Sequence, residues 1–205
     1  ITSLEGNILG SGILARGISL DTAKLSFTKS GTITNIAVTG AMGNGLLSGY
    51  GTIDNNNLNL SLSADSLDAS NFSTFVGKSI SGNITGYASI TGDLDNVSVT
   101  GSITSPEIIY DGAHFNSINA GFTIQNHILE LTDTSIGDGD GAITIGGTLD
   151  LNSNALNMRA RAKAVRIENL IRPFYDAPIT GWFESENEIR GTLNNPYVQG
   201  HVHLY

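Results

Sequence analysis

The chain has 205 residues, of which 14% are charged and 25 are glycine; cysteine is absent and the formal net charge is −9. Such an acidic balance argues against nucleic acid as a partner, the lack of cysteine excludes a disulfide framework, and no apolar run approaches the roughly 20 residues of a membrane-spanning helix. Few helix formers and abundant Gly, Asn, Ser and Thr point to an all-β chain of strands and turns.

The chain opens mid-pattern on ITSLEGNILG, which reads as an internal piece of something longer. Strict alternation follows in LNLSLSADS (58–66). Leu58, Leu60, Leu62 and Ala64 fall on one side of a strand, and Asn59, Ser61, Ser63 and Asp65 on the other. DASNFSTFVGKS (68–79) interrupts this with one or two turns of helical spacing, starting near Asp68. ITGDLDNVSVTGSI (90–103) predicts a hairpin turning at Asp95-Asn96.

IGDGDGAITIGG (136–147) poses a choice between a calcium loop, a phosphate cradle and a plain turn. A helix-loop-helix calcium site needs an oxygen ligand where Ala142 stands, and a phosphate loop needs a following helix where AITI predicts a strand. A turn is the reading. Beyond it, Arg159, Arg161 and Lys163 alternate along one strand, and Glu184, Glu186 and Glu188 along another. If the strands are neighbours, these stripes are cross-strand ion pairs on the outer surface. The other reading is a basic stripe that meets anionic lipid headgroups.

Between the stripes, ENLIRPFYDAP (168–178) predicts a helix near Glu168 that Pro173 keeps short. The single tryptophan, Trp182, lies opposite in face to Phe183, and IRGTLNNPYVQGHV (189–202) predicts a hairpin turning at Asn194-Asn195-Pro196. His201 and His203 share a strand face, half of a metal site at most, and are read as solvated. No G-x-S-x-G elbow occurs and no carboxylate pair stands out, so neither enzymatic activity nor a cofactor is expected.

The chain repeats itself. GNGLLSGYGTI (43–53) matches GDGAITIGGTL (139–149) at an offset of 96, LNLSLSADSLDASNF (58–72) matches LNMRARAKAVRIENL (156–170) at 98, and 80–103 matches 179–202 at 99. Two copies of a unit of about 98 residues, roughly 1–103 and 104–205, therefore fill a single continuous domain. Neither stripe recurs in the first copy, where Ser61, Ser63, Asp65, Thr85, Tyr87 and Ser89 stand and Asp65 alone is charged.

The alternating strand, then VRIENLIRPF, ITGWF and the closing GTLNNPYVQG (191–200), with a weaker second instance in GDLDNVSVTG (92–101), resemble the repeating segments of the TamB and AsmA-like family of diderm bacteria, the inner-membrane side of the translocation and assembly module. The resemblance implies a β-taco, a long antiparallel meander curled into a U-shaped trough, apolar inside and polar outside. It also implies an internal periplasmic segment, not itself membrane-spanning, of a protein anchored in the inner membrane. Such a segment would carry phospholipid acyl chains between membranes, and the rest of the protein would meet a BamA/TamA-like outer-membrane barrel.

On that reading the groove lining comprises Leu58, Leu60, Leu62, Ile80, Ile84, Ile90, Leu94, Leu156, Met158, Ile179, Phe183, Ile189 and Leu193, with Ala160, Ala162, Gly82 and Gly181 leaving room between them. The alternatives are a scaffold that lends its sheet edges to barrel strands by β-augmentation, a cell-surface adhesin or passenger domain, and a closed sandwich with a filled core.

Overall fold

The computed structural model describes residues 3–15, 18–173, 175 and 178–205. In chain order the strands are β1 (Ser3–Ala15), β2 (Ile18–Ser30), β3 (Ile33–Met42), β4 (Gly45–Asp54), β5 (Asn57–Asp68), β6 (Ile80–Asp93), β7 (Asn96–Ser105), β8 (Ile108–Tyr110), β9 (Ala113–Phe115), β10 (Ser117–Gln125), β11 (Ile128–Asp138), β12 (Gly141–Asp150), β13 (Ala155–Arg166), β14 (Trp182–Thr192) and β15 (Asn195–Leu204). Among the described residues helix is confined to a 3-10 turn at Ala69–Phe72, the single turn α1 (Ser73–Val76) and α2 (Ile167–Ile171). Both interruptions fall where helical spacing predicts them. The side chain of Asp68 caps the first, accepting from the Ser70 N–H at 2.8 Å, and α2 ends before Pro173. Phe174, Asp176 and Ala177 of the second expected stretch lie outside the described residues.

All fifteen strands form one antiparallel sheet, curled but not closed. Thirteen follow one another without a crossover, and β8 and β9 form a side hairpin against the start of β6. At about 4.8 Å per strand the path runs close to 60 Å from β1 to β15.

The repeat is visible in the backbone. Register shifts between Ala64 and Leu67, and again between Ala162 and Val165, put Ser66 (φ 53°) and Ala164 (φ 49°) into the left-handed region. These equivalent bulges turn β5 and β13 toward the helical interruptions that follow them.

The hairpin turns fall one residue earlier than expected, at Leu94-Asp95 and Leu193-Asn194, while Asn96, Asn195 and Pro196 already belong to strands. Side chains one step upstream hold them: Asp93 accepts from the Asp95 N–H at 3.0 Å and Thr192 from the Asn195 N–H at 3.2 Å. Successive turns along this rim are also joined. The N–H groups of Asn55, Leu94, Leu151 and Leu193 donate to the carbonyls of Thr32, Asn56, His127 and Asn154 in the neighbouring turns.

Candidate functional site: an apolar floor with one capped end

Residues directly opposed in an antiparallel ladder share a face, so the register assigns every strand of the path. One face carries, in spatial order, Phe27, Leu25; Ile36, Val38; Leu47, Ile53; Leu58, Leu60, Leu62; Ile84, Ala88, Ile90. It continues through Val99, Ile103; Phe122, Ile124; Leu129, Leu131; Ile143, Ile145; Leu156, Met158; Ile189 and Val198. Apolar side chains thus run without a break across the sheet.

Buried residues gather at one end of this floor. Met42, Leu67 and Ala69 lie there, then Ile108 and Ala113, then Ala162, Val165 and Phe183. The helical interruptions and the β8–β9 hairpin fold over that end as a second layer.

Polar contacts bind the layer together. Asp138, fully buried at the end of β11, accepts from the backbone N–H of Arg166 at 2.7 Å, from its Nε at 2.8 Å and from Asn169 Nδ2 at 2.9 Å. That carboxylate raises the Arg166 pKa above its ordinary value. Asn169 also exchanges two hydrogen bonds with the backbone of His114, and Arg172 donates to the Gly112 carbonyl at 3.2 Å. Lys78 reaches Asp111 at 2.6 Å and the Pro173 carbonyl at 2.9 Å, and the Asp111 partner raises its pKa. His114 pairs with Glu107. A buried carboxylate with this many donors is satisfied, and the hub ties α2, β9, β11 and β13 into one unit.

The thirteen residues expected to line the groove separate by position. Leu58, Leu60, Leu62, Ile90, Leu156, Met158 and Ile189 share the open floor. Ile80, Ile84 and Phe183 lie at the capped end. Phe183 packs with Ala162 and Val165 and is 4% exposed, so it belongs to a filled core rather than to an open trough. Leu94 and Leu193 are corrected: they sit in rim turns, 48% and 53% exposed, because the upstream Asp93 and Thr192 side chains pull the turn onto the leucine. Ile179 precedes β14 and lies on no strand.

Sequence reading missed the floor residues of the first 55 positions and of β7, β10, β11, β12 and β15. Glycines break the alternation in β1, β4 and β7, yet Gly6, Gly49, Gly51 and Gly101 sit on the floor side and keep its period.

Among the described residues no element covers the floor away from its capped end. A recess of about 200 Å³ opens there between Leu47, Leu62, Ala64, Ala88, Ile103 and Phe122, with an apolar wall. A wider depression of about 840 Å³ lies toward the polar face, walled by Arg159, Arg161, Glu186, Glu188 and Arg190. The larger volume is the weaker candidate for a ligand, because its charges satisfy one another. Arg159 faces Glu188 at 3.4 Å, Arg161 faces Glu186 at 2.8 Å and Arg190 reaches Glu188 at 2.9 Å.

The first two of those contacts are cross-strand pairs that the two stripes predict, whereas Arg190 and Glu188 lie on one strand; Arg161 lowers the Glu186 pKa. In the first copy the same rows hold Ser61 opposite Ser89 and Ser63 opposite Tyr87.

Gly139-Asp140 forms the turn after Asp138, with Gly139 at φ 62°. The aspartate that matters in IGDGDG is therefore the first, which faces inward. His201 and His203 stand opposite Glu186 and Glu184 on the polar face, and no group of three or more potential metal ligands converges among the described residues. Trp182 is partly exposed, and its backbone pairs with that of Tyr205.

No family model, curated protein or solved structure matches this chain.

Proposed function

We propose that the chain is a lipid-holding segment whose apolar floor shields phospholipid acyl chains from water while their headgroups stay in solvent. The uncovered floor carries this reading. At about 60 Å by 20 Å it amounts to on the order of 1,000 Å², whereas monomers rarely leave contiguous apolar patches beyond a few hundred Å² without a partner. Each methylene withdrawn from water contributes about 0.8 kcal/mol, so ten of them hold a tail by roughly 8 kcal/mol before ordering costs. A uniform floor gives a tail no preferred stopping point, which suits conduction along the trough. No bond is made or broken, so the function is transport rather than catalysis.

In keeping with the TamB and AsmA-like resemblance, the proposal extends to a periplasmic trough that bridges inner and outer membranes and supports assembly of outer-membrane proteins through a BamA/TamA-like partner of the wider protein.

Lipid extraction and mass spectrometry of the detergent-free purified chain test the proposal. Phospholipid is expected to co-purify with the native protein and to be absent from a Leu60→Asp/Met158→Asp variant whose circular dichroism still reads as sheet. A native protein that carries no lipid and takes up none from vesicles sinks the reading.

A further inference from the structure

We propose that Asn187 and Ser185 form a polar station on the floor, which takes the two ester carbonyls of a diacyl phospholipid and sets where its glycerol end rests. This rests on the lipid-holding reading and adds to it the class of lipid that the floor selects.

Alternation along β14 from Ile189 puts Asn187, Ser185 and Phe183 on the floor face. Asn187 stands opposite Ala160 and Gly200, and Ser185 opposite Ala162 and Val202, so both residues have a paired strand on either side. Their side chains are half-buried, and Asn187 Nδ2 donates to Ser185 Oγ at 3.0 Å. Gly200 makes room for the amide, since a methyl group built on it would collide with Asn187 Oδ1.

What the pair leaves unspent decides the guest. A carboxamide nitrogen carries two hydrogens and a hydroxyl carries one. With one amide hydrogen given to Ser185, one N–H and the Ser185 O–H remain, and among the described residues neither has a protein acceptor. Thr134 and Ser105, on the same face, differ: both are buried, and their hydroxyls donate to the carbonyl of Thr132 and to those of Asn83 and Glu107. Hydrocarbon laid over Asn187 and Ser185 strips their water and returns no acceptor, which is unfavourable. Two adjacent free donors match a guest that carries two acceptors at the root of its tails, and the diester linkage of a phospholipid is such a group. Tails slide over the apolar rows, and only the ester end finds a place to rest.

The neighbouring floor fits that placement. From β14 toward β11 a tail crosses Met158, Ile145 and Leu131. Three strand steps are about 14 Å, close to half of a roughly 30 Å bilayer core and so to the depth of one leaflet's tails. The first copy has no such station: Ala88 and Gly86 stand in the equivalent places, beside the recess at Leu62 and Phe122.

Vesicles holding equal amounts of a diester and a diether phosphatidylcholine with identical tails, incubated with the whole protein, test the proposal. The protein is re-isolated and its lipids are counted by mass spectrometry. A diester-to-diether ratio of roughly ten is expected, because the ether link lacks the carbonyls that the two donors would meet. Asn187→Ala/Ser185→Ala, which copies the apolar character of the first copy, is expected to bring the ratio near one. The native ratio is read without any variant. A ratio near one in lipid-loaded native protein, or a preference undiminished in the folded double variant, would overturn the station and leave the lipid-holding reading standing. Native protein that takes up neither lipid would overturn both.

Discussion

The two copies of the repeat solve one packing problem in opposite ways. At the capped end, Met42 of the first copy occupies the place of Asp138 in the second, Leu67 that of Val165, and Asp68 that of Arg166. The first copy fills this end with apolar side chains and uses Asp68 to cap the turn that follows. The second buries a carboxylate there and surrounds it with Arg166 and Asn169. The polar face differs in the same way, with serines and a tyrosine in one copy where the other has arginines and glutamates. The bulges, the rim turns and the floor are common to both. Backbone geometry and one apolar face define the unit, and the remaining positions need only be mutually compatible.

The largest test of that equivalence is removal of the buried acid. Asp138→Ala leaves Arg166 and Asn169 without their acceptor and is expected to cost about 3 kcal/mol, discounted for the solvent that reaches the guanidinium. Met42→Ala is expected to cost about 2 kcal/mol through a cavity. Transplanting the first copy's residues, Asp138→Met with Arg166→Asp, is expected to recover most of the Asp138→Ala loss. Urea midpoints at constant slope read all three, and a transplant no better than the single substitution would show that the copies are not interchangeable there.

A smaller contrast lies in acid response. The Ser70 N–H that Asp68 accepts lowers the Asp68 pKa, so its stabilising contribution is full above the ordinary aspartate range and is lost as pH falls through the lowered value. Asp68→Ala is expected to cost about 0.5 kcal/mol at neutral pH, the low end for an exposed cap, and the gap from the native protein should close below about pH 4. Arg166, at the equivalent place, does not titrate there. A gap that stays constant down to pH 3 would refute the cap's role.

The smallest effect belongs to the exposed ion-pair rows. A double-mutant cycle on Arg161→Ala and Glu186→Ala should show a weak favourable coupling that fades in high salt, and the Ser63–Tyr87 row should show no salt dependence. Strictly additive losses at low salt would remove the stabilising role of the stripes.

Period-two alternation made the sheet, its apolar face and both helical interruptions legible in the sequence, because side chains in a strand alternate faces without exception until a bulge intervenes. The bulges themselves left no signal: nothing about Ala164 marks it for a left-handed conformation. The turn positions were displaced by one because Leu94 and Leu193 look like strand residues, while the groups that hold them are the Asp93 and Thr192 side chains and the carbonyls of neighbouring turns. Asp138 looked like part of a loop since its partner Arg166 is 28 residues away, and only the register of β11, β12 and β13 brings the two together. Most of the floor went unread, in part because glycine is not counted as apolar, although in β1, β4 and β7 it keeps the period.

Along the path each strand pairs with the strands on either side, and only β6 takes a further partner in β8, so the trough behaves mechanically like a strip of adhesive tape. Tension on the two termini loads a single edge strand at a time and peels it away, giving many small rupture events rather than one large one. The strap formed by α2, the β8–β9 hairpin and Asp138 spans several strands at once. It is the place where such peeling stalls, which makes the middle of the molecule its grip.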